Sequence, residues 1–271
     1  MLFRTEVNIE KPTFSIRPLE RMLFVGSCFA DNMGKRFQEE KFRAIVNPYG
    51  VMYNPVSILH TVKRFVAECN AEDAPQTCVF TLGTNHVYRL KETGKIVDNC
   101  RKRPQRLFQE EELTITQCRE ALASAVGLLR SLNGSVRVIV TVSPIRYAKY
   151  GYHGSQLSKA TLLLAADELC REHEECVYFP AYEIVNDELR DYRFYKEDML
   201  HPSEQAVSYI WEQFSKNFFS KETFTFMEKW RPIKEALGHK PFNPDAEEYK
   251  LFMQRTKEKL EKLKQEYPEL A

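Results

Sequence analysis

Short apolar runs, each closed by a turn-forming residue and followed by a helical pattern, constrain this chain more than any other feature. Leu23-Phe24-Val25 ends at Gly26, and Phe42 to Val46 ends at Asn47-Pro48-Tyr49-Gly50. Cys78 to Leu82 ends at Gly83, Val136 to Val142 at Ser143-Pro144, and Cys176 to Phe179 at Pro180. Between them lie Asp31 to Glu40, of helical composition, and Val56, Leu59, Val62 and Val66 at helical spacing behind Asn54-Pro55. Thr116 to Ser131 is amphipathic and is stopped by Asn133-Gly134. Ser155 to His173 and Ser203 to Phe219 repeat the pattern, the latter with Ala206, Val207, Ile210, Trp211, Phe214 and Phe218 on one stripe. Strands that alternate with helices pair side by side in parallel, with the helices as crossovers. The expected fold class is therefore α/β, a mostly parallel sheet covered on both faces. His86 to Leu90 and Lys95 to Asp98 flank Thr93-Gly94 and read as a hairpin.

The end of the chain differs. After Phe242-Asn243-Pro244, the stretch Asp245 to Tyr267 is dense in Lys and Glu, with Leu251, Phe252, Leu260 and Leu263 as its apolar positions. It reads as one exposed amphipathic helix that covers the sheet edge or mediates self-association. The expected division is a domain over 1–240 and a helical extension over 241–271.

Bulk properties exclude several function classes. With 39 basic against 38 acidic residues, the net charge of +1 is no footprint of a nucleic-acid binder. The local basic run Arg101-Lys102-Arg103-Pro104-Gln105-Arg106 reads as a solvated loop or as an anion contact. No apolar run approaches the ~20 residues of a membrane span. Met1 to Glu6 lack a charged segment followed by an apolar one, so a cytoplasmic location is expected. The 7 cysteines are scattered without a CxxC pair, as reduced and mostly buried thiols would be. The 6 histidines form no metal-ligand spacing, and no glycine-rich phosphate loop occurs, so neither metal nor cofactor is expected.

In such sheets ligands bind beyond the carboxyl ends of the strands, which puts Ser27, Gly83, Ser143 and the loop after Phe179 on one rim. Ser27 follows Gly26 at a strand end and precedes a helix. Such a turn exposes a side chain and aims free helix N–H groups at it. A serine there is equally a plain helix cap. A hydroxyl nucleophile needs a base. Asp198-Met199-Leu200-His201-Pro202 offers one: a spacing of three lets one turn present both side chains, with Asp198 holding the His201 tautomer. Cys28 is a second nucleophile candidate near the helix N-terminus, although packing behind the turn beside Phe29 is its plainer reading. Gly50, Asn54, Gly83, Asn85 and Asn99 stand at strand ends as oxyanion donors or as turn residues. Arg146 is placed to hold a substrate carboxylate or to orient its loop. Glu183, Asp187, Arg190, Asp191 and Arg193 read as a structural ion-pair network.

Gly26-Ser27-Cys28-Phe29-Ala30 spells GSCFA, and the chain resembles the GSCFA domain family. Further blocks carry the resemblance: Asn47-Pro48-Tyr49-Gly50 with Asn54-Pro55, Thr81-Leu82-Gly83-Thr84, Asn99-Cys100, Thr141 to Arg146, and Ser158-Lys159. Phe179 to Glu183, Asp191 to Tyr195 and Asp198 to Pro202 complete it. That family, common in bacteria of the Bacteroides type, looks like a branch of the SGNH (GDSL-like) hydrolases. The resemblance implies a flavodoxin-like three-layer α/β/α sandwich around a five-stranded sheet, with Ser27 as nucleophile and Asp198 and His201 as its base. It implies a Gly and an Asn as oxyanion donors: Gly83-Thr84-Asn85 is similar to the GxND block, with His86 in place of its Asp, and Gly50 matches the second-block Gly. Two departures stand out, since the family pattern has His where this chain has Arg101 and Tyr147. The expected activity is serine-dependent hydrolysis of a small acyl ester, acetyl on a carbohydrate or related ester, without membrane or nucleic-acid partner. A silent hydrolase fold that binds or scaffolds, and an acyltransferase using the same serine, are the alternatives.

Overall fold

The computed structural model describes residues 4–100 and 103–270. Strand β1 (Arg21–Gly26) leads into helix α1 (Cys28–Glu39), then β2 (Arg43–Val46) and α2 (Pro55–Glu68). Strand β3 (Thr77–Leu82) is followed by β4 (His86–Leu90), β5 (Ile96–Val97) and β6 (Phe108–Glu112). Next come α3 (Ile115–Leu132), β7 (Arg137–Val142), α4 (Gly151–Glu172), β8 (Cys176–Tyr178) and the single turn α5 (Ala181–Glu183). Helices α6 (Glu204–Phe218), α7 (Lys221–Gly238) and α8 (Glu247–Glu266) close the chain.

The main sheet has five strands in the order β2-β1-β3-β7-β8, and every pairing in it is parallel. The physical cause is visible in β1. Its side chains alternate between two cores: Leu23 and Val25 face one, Met22 and Phe24 the other. On the first face sit α2 through Ile58, Val62 and Phe65, α3 through Leu122, Val126 and Leu129, and α4 through Leu162, Ala166 and Leu169. On the second sit α1 through Phe29, Met33 and Phe37, and α6 through Ile210, Phe214 and Phe218. This is the three-layer α/β/α sandwich with a five-stranded sheet. Strands buried on both faces must be apolar throughout, which is why β3 has no exposed residue and no sequence alternation.

The hairpin grows into a separate three-stranded antiparallel sheet, β5-β4-β6. Strand β6 has no sequence signature, because Gln109, Glu110, Glu111 and Glu112 are polar on both faces. It pairs through its backbone and through ion pairs such as Arg89–Glu111. Helix α7 was likewise not marked by periodicity; its interior carries Pro232. It buries Phe226, Trp230 and Ile233 with Leu19, and α8 packs on it through Leu263, followed by Tyr267 and Leu270. Leu251 and Phe252 of α8 remain exposed. Among the described residues no helix is long and apolar enough to cross a membrane. Three cysteines are buried, Cys78, Cys118 and Cys176; Cys28, Cys69, Cys100 and Cys170 are partly exposed, and all seven are free. Arg101 and Lys102, two of the basic run and one of the two departures from the family pattern, lie outside the described residues.

Candidate active site at the carboxyl edge of the sheet

Sheet order reverses at β1: the chain passes from β1 outward to β2, then back across to β3. The crevice between the carboxyl ends of β1 and β3 is where such folds bind ligands. The loop from Asn47 to Asn54 is laced across it. Asn47 Oδ1 accepts the Gly26 N–H at 2.9 Å, the Met52 N–H donates to Gly26 O at 2.8 Å, and the Gly83 and Thr84 N–H groups both donate to Tyr53 O. Gly26 takes φ +147°, and a Cβ there would lie 2.2 Å from Thr81 O, so only glycine lets the β1 exit pass this close to β3.

Ser27 is the N-cap of α1. Its Oγ accepts the Phe29 N–H at 3.3 Å and shares a hydrogen bond with Thr81 Oγ1 at 3.1 Å. The residue is 0% exposed. Cys28 begins the helix proper and is partly buried, packed against the core cluster that holds Phe29. Burial raises its thiol pKa, Asp31 raises it further, and the charges of Lys159 and Lys196 act the other way.

The Asp198–His201 unit is built by one carboxylate. Oδ1 accepts the Leu200 N–H at 2.9 Å and the His201 N–H at 3.0 Å, while Oδ2 holds His201 Nδ1 at 2.6 Å. A spacing of three works for this reason: the turn that satisfies the backbone delivers the imidazole to the same carboxylate. Those backbone N–H groups, then the imidazole, hold the Asp198 carboxyl down at about 2. With Nδ1 donating to the carboxylate, the neutral ring's Nε2 is an acceptor. The Lys196 N–H donates to His201 O and the Ser203 N–H to Phe194 O, closing the hairpin, and Ser203 then caps α6. Arg146, beyond β7, anchors the hairpin. Its N–H donates to Leu200 O at 3.1 Å, its guanidinium donates to Met199 O at 3.0 Å, and it lies 4.1 Å from the Tyr152 ring and 5.4 Å from the Tyr195 ring. A cleft of about 260 Å³ opens here, lined by Arg146, Gln156, Asn186, Tyr192 and Tyr195.

The remaining sequence candidates are dispersed. Gly83 stands at the crevice, yet its N–H is taken by Tyr53 O. Asn85 is buried, donating Nδ2 to Leu113 O at 2.8 Å and its backbone N–H to Ser158 Oγ. Asn54 caps α2, accepting the Ser57 N–H at 2.9 Å. Gly50 donates to Asn47 O within its turn. Gly50 and Asn99 line a second cleft of about 570 Å³ with His60 and Asp98, which pair at 2.7 Å. The charged group after β8 resolves into two local pairs, Arg190–Asp187 and Arg193–Asp191, with Glu183 bonded to Tyr178 instead.

Two site residues had no assigned role in the sequence. Lys159 is 2% exposed and donates to Gly83 O and Ser143 O, at 2.7 Å each, tying together the ends of β3 and β7. Burial lowers its pKa to about 7. Its signal was readable: with Ser155, Leu162, Ala166 and Leu169 it falls on the buried stripe of α4, where a lysine needs a reason to be. The Tyr147 hydroxyl lies against Gly83, so that a Cβ there would lie 2.5 Å from it.

Taken together, the doubly wound parallel sheet, with a polar cluster at its switch point, defines an α/β protein with a candidate site in that crevice. The chain belongs to the GSCFA family: the family's model matches residues 21–76 and 70–214. A second model, the GSCFA domain protein C-terminal domain, matches residues 230–271. Among solved structures it is similar to an acetylxylan esterase from Geobacillus stearothermophilus, with 14% identity, 76% of this chain and 98% of that chain covered, and a TM-score of 0.49. It is similar to a carbohydrate esterase family 3 protein from Talaromyces cellulolyticus, with 12% identity, 76% and 97% covered, and a TM-score of 0.44. A GDSL-like lipase from Bacteroides thetaiotaomicron shares 15% identity, with 73% and 86% covered and a TM-score of 0.46. No curated protein matches the chain.

Proposed function

We propose that this protein hydrolyses small acyl esters by covalent catalysis at the β1–α1 turn, with the Asp198–His201 pair moving the proton. The carrying observation is the pair itself: a carboxylate clamped by two backbone N–H groups holds the imidazole at 2.6 Å, on a hairpin tied to the exit of β7. The nucleophile is contributed by the turn, from Ser27 or its neighbour Cys28. The cleft beside Arg146 supports a carbohydrate or other polar alcohol as the part that leaves. Tyr192 and Tyr195 provide flat apolar faces, while Gln156 and Asn186 provide hydrogen-bonding groups, the mixture a sugar ring requires. The test is p-nitrophenyl acetate hydrolysis by the wild type and by a variant carrying both Ser27→Ala and Cys28→Ala. The double variant should lose activity by roughly a thousandfold or more; equal rates would sink the reading.

A second reading, a hydrolase fold that binds without turnover, draws on the complete burial of Ser27 and on the bonded N–H groups of Gly83 and Gly50. A wild type without esterase activity that still binds acetylated oligosaccharides would favour it. Under the first reading, Arg146→Ala frees the hairpin at Met199 O. The expected result is a kcat lower by about tenfold with KM for p-nitrophenyl acetate little changed, because orientation is lost and binding is not.

A further inference from the structure

The second cleft, of about 570 Å³, takes no part in the chemistry above, yet its size is that of small-molecule sites, roughly 300–1,000 Å³. Its lining comes from α2, through His60, Thr61 and Arg64, and from β5 and its flanks, through Lys95, Val97 and Asp98. Gly50 and Met52 line it as well, and the Met52 N–H donates to Gly26 O, one residue before Ser27. A single loop thus borders both the cleft and the crevice. The charges of the cleft are unbalanced. Asp98, the only carboxylate among its described lining residues, is already held by His60 Nδ1 at 2.7 Å. Arg64 is offset by Glu68, which accepts its Nε–H at 2.9 Å. Lys95 and Arg103 also line the cleft, and among the described residues neither has a carboxylate partner. Arg103 belongs to the basic run of the sequence and stands 5.8 Å from the ring of Phe108, itself a lining residue. The second observation is Thr61. It lines the cleft at 1% exposure, and among the described residues its hydroxyl has no hydrogen-bond partner. Thr161, Thr225 and Thr256 each donate to the carbonyl four residues back, as helical threonines do, but Thr61 does not. A buried hydroxyl without a partner is costly, and in the lining of a cleft it marks the place of a missing acceptor.

Resting on the acyl-hydrolase reading, we propose that this cleft binds the oxyanion of an acidic sugar, a carboxylate or a phosphate ester, so that the acyl esters selected here are those of anionic carbohydrates. Lys95 and Arg103 supply the charge. The planar guanidinium suits two oxygens of one oxyanion, and the lysine adds a point charge beside it. The Thr61 hydroxyl donates to a ligand oxygen and so gains the acceptor it lacks. With Nδ1 held by Asp98, His60 keeps Nε2 for a sugar hydroxyl. Met52 and Val97 offer apolar surface to the C–H face of a ring. Met52 also ties the cleft to Gly26, so a sugar seated here is held at a fixed offset from the β1–α1 turn. Such holding is what a neighbouring subsite contributes to a reaction.

The first measurement is binding, which needs no turnover: calorimetric titration of the full chain with digalacturonate, glucose 6-phosphate and cellobiose. At low ionic strength the better of the two anionic sugars should bind at least about tenfold more tightly than cellobiose, and the gap should close in about 0.5 M salt. Preference for digalacturonate assigns a carboxylate, and preference for glucose 6-phosphate a phosphate. A variant carrying both Lys95→Gln and Arg103→Gln should bind the preferred sugar about tenfold more weakly. Thr61→Val should also lose about tenfold, with no drop in melting temperature because its hydroxyl has no partner in the protein to lose. Anionic and neutral sugars bound alike, no sugar bound at all, or either variant binding like wild type overturns the proposal. The second measurement is the ratio of kcat/KM for acetylated digalacturonate over acetylated xylobiose, or for acetylated glucose 6-phosphate over acetylated glucose if phosphate is preferred. The ratio should favour the acidic substrate and fall by about tenfold in the Lys95→Gln, Arg103→Gln variant. Hydrolysis of p-nitrophenyl acetate without preference for acidic substrates overturns the subsite and leaves the hydrolase reading standing. A wild type that binds the acidic sugar but hydrolyses no ester overturns the hydrolase reading and leaves the anion site in place.

Discussion

Asp198→Asn is expected to reduce p-nitrophenyl acetate turnover by roughly ten-thousandfold while leaving the melting temperature nearly unchanged. The asparagine carbonyl oxygen can still accept the Leu200 and His201 N–H groups, so the turn survives. Its other end, however, is a donor. It cannot accept from Nδ1, so the neutral ring is turned to the tautomer that carries its proton on Nε2, and the base is blocked. His201→Ala should cost as much through the direct loss of the base. A rate within about tenfold of wild type for either variant would refute the assignment. The pH dependence follows from the same contacts. Two backbone N–H groups and the imidazole depress the Asp198 carboxyl to about 2. The depressed group is therefore ionised, with its grip intact, above the ordinary carboxylate range near ~3.9, and loses that grip only as pH falls through about 2. Any acid limb in the rate profile between about pH 4 and 8 must then belong to another group.

Gly26→Ala is expected to be the most damaging single methyl group in the chain. Two costs add. The residue sits at φ +147°, which an L side chain rarely adopts, and the new Cβ would lie 2.2 Å from Thr81 O and 2.8 Å from Thr81 N, both backbone atoms. Relief requires β1 to move away from β3 along the central pairing of the sheet, where Gly26 and Thr81 are in register. The Asn47, Met52 and Ser27 hydrogen bonds at the same exit would all be disturbed. A loss of about 3 kcal/mol or more follows from strain and overpacking. That corresponds to a melting temperature lower by roughly 10 °C, and the proposed ester hydrolysis should be lost with it because the turn that carries Ser27 and Cys28 is displaced. A variant melting within about 2 °C of wild type would show that the exit has slack that this geometry denies.

Much of the fold was legible because it depends on local pattern. Leu23-Phe24-Val25, Cys78 to Leu82 and Val136 to Val142 read as interior strands because they are short, apolar and closed by Gly26, Gly83 and Ser143-Pro144. Asn54-Pro55 and Ser203 mark helix starts through side chains that accept N–H groups nearby in sequence. Strand β6 was not legible: Gln109 to Glu112 is a polar stretch made into a strand by Tyr88 and Arg89 across from it. Helix α7 was not legible either, because the partners of its apolar stripe are Leu19, Leu263, Tyr267 and Leu270, far away in sequence.

The candidate site divides along the same line. Asp198-Met199-Leu200-His201 declared itself, because a carboxylate reaching a backbone and an imidazole three residues on is a local event. The exposure of the β1–α1 turn was not local. Whether Ser27 or Cys28 meets solvent depends on Thr81 lying against Ser27, and that contact exists only once β1 and β3 pair. Lys159 could be recognised as misplaced on its helix stripe, but its role at the ends of β3 and β7 needed the sheet to bring Gly83 and Ser143 together. By itself, the sequence determined the layered α/β architecture and the family, since both rest on short local patterns repeated along the chain. Only the tertiary structure decided that Ser27 is enclosed and that Lys159 ties together the ends of β3 and β7, because burial is a property of neighbours that the chain order does not name.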